Sequence, residues 1–120
     1  VSLDPGKIMA DVDKGADRLE AAADTYSKAV LRYEKAENDY ERAVQKQLLV
    51  VLDKSKKAGE RVPAEDLRRA MAHDAIDPEV YAEYLEARAH KESLSVRFRA
   101  LSASVSARQS LLKSLSGMGG

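Results

Sequence analysis

Val12, Leu19, Tyr26, Tyr33, Tyr40 and Gln47 recur every seven residues along the first half of the chain. Offset by three runs a second register: Met9, Ala16, Ala23, Val30, Glu37, Val44 and Val51. Two such rows are the a and d positions of a heptad seam and predict one long helix. Asp4 can cap its free amides and Pro5 suits the first helical position. Gly59 offers a C-terminal cap, preceded by Lys54, Lys56 and Lys57 where cations favour the helix dipole. The predicted helix therefore covers residues 5–58, roughly 80 Å at 1.5 Å per residue. Local propensity does not hold a helix of that length; burial of its stripe must. Gly15 reads as its weak point, about 1 kcal/mol less favourable than Ala.

Val62-Pro63-Ala64-Glu65 opens a short helix over 63–74, with Leu67, Ala70 and Met71 as its apolar face. Asp77-Pro78-Glu79 repeats the Asp-Pro opening and starts a third helix over 78–116. Its seam holds Val80, Ala87, Leu94, Leu101, Arg108 and Leu115 in one register, and Tyr84, Lys91, Phe98, Val105 and Leu112 in the other. Residues 117–120, rich in glycine, read as a disordered tail. No segment shows strand alternation. The predicted fold is all-α: a long, coiled-coil-like antiparallel helical hairpin with a short connecting helix, one domain over 1–120.

Charge supports the hairpin independently. Residues 1–45 are net acidic, 46–69 net basic, 70–87 net acidic and 88–120 net basic. Folding back brings each sign to its opposite. Glu37 and Lys91 interrupt facing seams, and a pair between them would fix register at some cost in stability. With one Phe and no Trp, the chain has little bulk for a compact core. Leu48, Leu49, Tyr81, Leu85 and Leu111 broaden the apolar stripe. The expected partner is therefore the chain itself, as a homodimer or a higher oligomer such as a tetramer built as a helical bundle. The slim run Ala100, Ser102, Ala103, Ser104, Ser106, Ala107 and Ser110 is a candidate contact face.

Chemistry finds little to work with. Cysteine is absent, so disulfides and thiolate sites are excluded. A di-iron bundle site needs Glu three residues before His, but Ala70 and Ala87 stand three before His73 and His90. Both histidines read as surface or connector residues. There is no phosphate-cradling glycine loop and no nucleophile elbow. No catalytic residue, metal ligand or cofactor is expected. No apolar run approaches the roughly 20 residues of a membrane span. The opening residues lack a basic-then-apolar leader, so the expected location is the cytoplasm. Lys54, Lys56, Lys57 and Arg61 are candidate phosphate contacts, and they make nucleic acid a secondary candidate partner. The tyrosine ladder reads as seam rather than as a base-stacking platform.

Tyr81-Ala82-Glu83-Tyr84-Leu85-Glu86-Ala87-Arg88-Ala89 is followed by Arg99-Ala100-Leu101 and by Arg108-Gln109-Ser110-Leu111-Leu112-Lys113-Ser114. The first helix adds Tyr33-Glu34-Lys35-Ala36-Glu37 and Tyr40-Glu41-Arg42-Ala43. Over most of residues 19–114 this combination resembles small all-helical bacteriophage proteins, especially of phages infecting actinobacteria. Such proteins are often found among replication and recombination genes. The resemblance implies a phage setting in a bacterial cytoplasm and carries over no catalytic residue. Joined to the seam, it points to a non-enzymatic oligomeric scaffold or interaction module for a host or phage protein. The alternative is an accessory nucleic-acid-binding protein of a replication or recombination module.

Overall fold

The structure, a computed structural model, describes residues 4–118. It is all-helical: α1 Pro5–Ala58, α2 Glu65–Ala75 and α3 Pro78–Met118, with no strand among the described residues. Both long helices start by the same device. The Asp4 carboxylate accepts from the Gly6 amide at 3.0 Å, and the Asp77 carboxylate from the Glu79 amide at 2.9 Å. Each Asp thus satisfies one orphan amide while the following proline presets the first turn. α1 ends at Gly59, whose φ of 67° is open to glycine at little cost. The Gly59 amide donates to the Lys56 carbonyl and the Glu60 amide to the Ser55 carbonyl, which is a Schellman closure.

Three helix limits depart from expectation. α2 starts at Glu65 rather than at 63, because Ala64 is extended (φ −57°, ψ 153°) and offers no side-chain oxygen to hold an earlier turn. It ends at Ala75, and the extended, buried Ile76 turns the chain toward α3. α3 runs two residues past Ser116, through Gly117 and Met118. Glycine lowers helix propensity without stopping a helix that is already propagating. The rest of the expected tail, 119–120, lies outside the described residues.

Contacts group the chain into two compact units, Val1–Val30 with His90–Gly120, and Leu31–Ala89. In the first, α1 and α3 run antiparallel: Gly15 meets Val105, and Tyr26 stacks on Phe98 with ring centres 6.1 Å apart. Val105 and Ala29 are buried, while Val12, Leu19, Tyr26, Val30, Leu94, Phe98, Leu101 and Leu112 are half-buried. In the second unit the pairing is again antiparallel: Tyr33 stacks on Tyr84, and Tyr40 packs against Tyr81. Arg32 grips Glu83 with two hydrogen bonds, of 2.8 and 3.0 Å. Here Ala36, Val51, Ala72, Ile76 and Ala87 are buried, and Tyr33, Tyr40, Val44, Val80 and Tyr84 half-buried.

The deepest row of α1 differs from the one the heptad pattern suggests. Met9 and Ala16 are exposed, whereas Gly15, Ala29 and Ala36 are buried and Ala22 and Ala43 half-buried. Over residues 15–43 the row therefore sits one residue earlier, on small side chains, and it returns to the predicted register at Val51, which is buried while Val50 is exposed. Small residues shorten the distance between helix axes, so the larger tyrosines lie beside the closest line of approach rather than on it. Glu37 belongs to the second unit and Lys91 to the first; the Glu37 carboxylate hydrogen-bonds to Tyr33 on its own helix. In the slim run of α3, Ser102 and Ser104 are half-buried, and Ala100, Ala103, Ser106, Ala107 and Ser110 are exposed.

Candidate functional site

The densest side-chain chemistry lies in the unit Leu31–Ala89, where five rings converge. α1 brings Tyr33 and Tyr40 to one face because seven residues make two helical turns. α3 brings Tyr81 and Tyr84, and α2 brings His73. Tyr40 is the hub: it stacks on Tyr84 at 4.9 Å and 13°, packs at 5.4 Å from Tyr81 and meets His73 edge-on at 5.9 Å. His73 in turn stands edge-on to Tyr81 at 4.4 Å. Offset and edge-to-face contacts of this kind are worth about 0.5–1.5 kcal/mol each beyond area burial. The Tyr40 hydroxyl lies 2.9 Å from His73 Nδ1 and donates to it when that nitrogen carries no proton.

Two phenols are held in their protonated form. Hydrogen bonding to the Glu37 carboxylate, and then to Tyr84, pushes the Tyr33 pKa well above that of an ordinary phenol. Burial raises that of Tyr40, with Tyr81 and Tyr84 adding to the effect and Arg69 opposing it. On the neighbouring surface, the hydrogen bonds from Arg32 hold the Glu83 carboxyl below its usual range. The ring faces of Tyr26, Tyr33 and Tyr40 are engaged with Phe98 and Tyr84, as seam residues would be.

His73 lies on the connecting helix, as expected, and is half-buried within the ring cluster there, while His90 is exposed. The reason is the rotation of α2. Its apolar residues Leu67 and Met71 are 55% and 43% exposed and Ala70 is exposed, while Ala72 is fully buried, with Arg68 and His73 half-buried beside it. A small residue at the contact brings α2 close, and the long side chains on either side cover the junction. The heptad spacing of Tyr40 and its neighbours marks the ring cluster, but nothing in the eleven residues of α2 marks its rotation.

Beside the rings, a cleft of about 620 Å³ is lined by Tyr40, Glu41, Val44, Gln45, Arg69, Ala70 and His73. A second, of about 290 Å³, is lined by Gln45, Leu48, Leu49, Leu52, Glu65, Arg68 and Arg69. The candidate phosphate contacts lie elsewhere in this unit. Lys54, Lys56, Lys57 and Arg61 are all exposed, and Lys57 pairs with Asp53 at 3.1 Å. Lys54 and Arg61 line one cleft of about 380 Å³, together with Met71. Among the described residues no group of three or more His, Cys, Asp or Glu side chains could hold a metal ion. None of their helices is long and apolar enough to cross a membrane.

Comparison with protein-family models, with curated proteins and with solved structures finds no match to this chain.

Proposed function

We propose that this chain is a non-enzymatic helical module that self-associates and binds other helical proteins, in the phage-infected bacterial cytoplasm suggested by its sequence resemblance. The observation that carries the reading is the placement of its large apolar side chains. Leu31, Leu49, Leu67, Leu85 and Val96 are 42–69% exposed, and no large side chain among the described residues is fully buried. The buried interior consists mainly of alanine and valine. Single exposed leucines are ordinary on protein surfaces. Here, however, Leu49, Val50 and Met71 border two clefts that flank α2 on α1. Covering such positions is favourable by about 25 cal/mol per Å² of apolar surface. Sedimentation equilibrium tests the reading: the mass rises with concentration to that of two or more chains, and Leu49→Glu weakens the association. A wild-type chain that stays monomeric up to about 1 mM overturns it.

A second reading rests on Lys54 and Arg61 lining one cleft, which makes accessory nucleic-acid binding its natural use. Fluorescence anisotropy with single- and double-stranded oligonucleotides tests it. Binding is salt-sensitive and is lost when Lys54, Lys56, Lys57 and Arg61 are changed to Gln; no binding at low salt rejects it.

A further inference from the structure

The two clefts between α1 and α2 share Gln45 and Arg69 and so form one groove within the unit Leu31–Ala89. Its polar end carries Tyr40, Arg69 and His73, and its apolar end Leu48, Leu49 and Leu52. Leu49 is 69% exposed. The groove also holds an unmet donor. Arg68 Nε is buried with no hydrogen-bond partner among the described residues. Arg69 is ion-paired with Glu65 on its own helix, but at 3.7 Å its Nε lies beyond hydrogen-bond length from that carboxylate. A guanidinium in that position calls for a carboxylate, which it binds with two parallel hydrogen bonds.

The complementary surface lies on the same unit. The first turns of α3 present Leu85, 42% exposed, in one stripe with the exposed Ala82 and Ala89. Glu79 and Glu86, seven residues apart, run along one edge of that stripe, and both are exposed. Tyr81, one turn before Leu85, packs against Tyr40 and His73 at the polar end of the groove. Groove and stripe are therefore neighbours. When two complementary patches adjoin on one subunit, a two-fold axis lets each copy offer its stripe to the other's groove, and the assembly closes.

Building on the self-association reading above, we propose that the α1–α2 groove seats the start of α3, residues 78–89, from a second copy of this chain. Leu85 lies on Leu48 and Leu49, and the carboxylates of Glu79 and Glu86 accept from Arg68 and Arg69. A slim helix bearing one leucine and an acidic edge fits a groove that is apolar at one end and carries Arg68 and Arg69 beside the single carboxylate Glu65 along its α2 side.

Charge exchange on the full chain tests the proposal. Arg69→Glu alone, and Glu79→Arg/Glu86→Arg alone, each raise the dimer dissociation constant at least about tenfold by light scattering or sedimentation, since like charges then face each other. Mixing the two variants restores dimers, because every groove again meets an opposite charge. Raising the salt weakens the wild-type dimer. Glu86 also lies 3.5 Å from Arg32, so Leu85→Glu serves as an independent variant should the double change disturb the fold by circular dichroism. Dimers of wild-type strength in both Arg69→Glu and Leu85→Glu overturn this interface and leave self-association standing. Failure of the mixture to restore dimers overturns the charge pairing. A wild-type chain that never dimerises overturns both readings.

Discussion

A Cβ built on Gly15 would lie 2.9 Å from Cγ2 of Val105, a side chain only 4% exposed. The glycine that weakens α1 by propensity is thus the one that lets α3 approach. Gly15→Ala brings two effects of opposite sign. Alanine favours the helix by about 1 kcal/mol, and overpacking costs about 1–3 kcal/mol. With Val105 held in the contact, the clash wins. Chemical denaturation is expected to show a net loss of about 1 kcal/mol in Gly15→Ala. Much of that loss is recovered in Gly15→Ala/Val105→Ala, where the obstructing methyls are gone. A stabilised single variant would refute the close approach.

The Tyr40–His73 contact makes a smaller, sharper prediction. Tyr40→Phe keeps every ring contact and removes the hydroxyl that meets Nδ1 at 2.9 Å. Losing one such bond costs about 0.5–1.5 kcal/mol. Tyr40→Ala also removes packing on Tyr81 and Tyr84 and costs about 3–5 kcal/mol, the range for deleting a large aromatic side chain. Urea melts of the two variants separate the hydroxyl from the ring. Equal losses in both would mean that the ring contacts contribute nothing.

Much of this was legible in the chain. The Asp-Pro pairs at 4–5 and 77–78 mark the two long-helix starts, because a carboxylate cap and a preset φ act locally. Gly59 marks the end of α1 for the same reason. The row of tyrosines announces its own packing, since a seven-residue spacing keeps side chains on one face. Hydrophobicity misled where small residues form the contact. Met9 is apolar yet 54% exposed, while Gly15 is buried because it leaves room for Val105. The rotation of α2, and with it the burial of His73 and of Arg68 Nε, depends on how tightly Ala72 packs. That is a tertiary property which eleven residues do not encode by periodicity.

Gly59 tests the helix-end reading in isolation. Its φ of 67° places it in the left-handed region, and no atom lies within 4 Å of where a Cβ would sit. Gly59→Ala therefore meets no clash, and its cost is the backbone penalty alone, about 1–2 kcal/mol. Gly59→Asn, which tolerates that conformation better, is expected to fall between alanine and wild type. Thermal melts of the three chains check the order. If alanine proves neutral, the left-handed closure after α1 is not formed in solution.

Alkaline pH probes the ring cluster from a different direction. Tyr33 is held protonated first by its hydrogen bond to Glu37 and then by Tyr84, and Tyr40 first by burial. Both folded pKa values lie above the ordinary phenol value of 10.0. Between the unfolded and folded pKa values the folded chain binds more protons than the unfolded one, so stability falls as pH rises. The contribution of these tyrosines is complete below about pH 10 and is lost as pH climbs through the folded values. Melting temperature is expected to lose ground above pH 10, and Tyr33→Phe to flatten that part of the decline. Phenolate absorbance from Tyr33 should then appear together with unfolding rather than before it. If Tyr33 ionises near pH 10 with the helices intact and the melting temperature unmoved, the Tyr33–Glu37 hydrogen bond does not persist in solution.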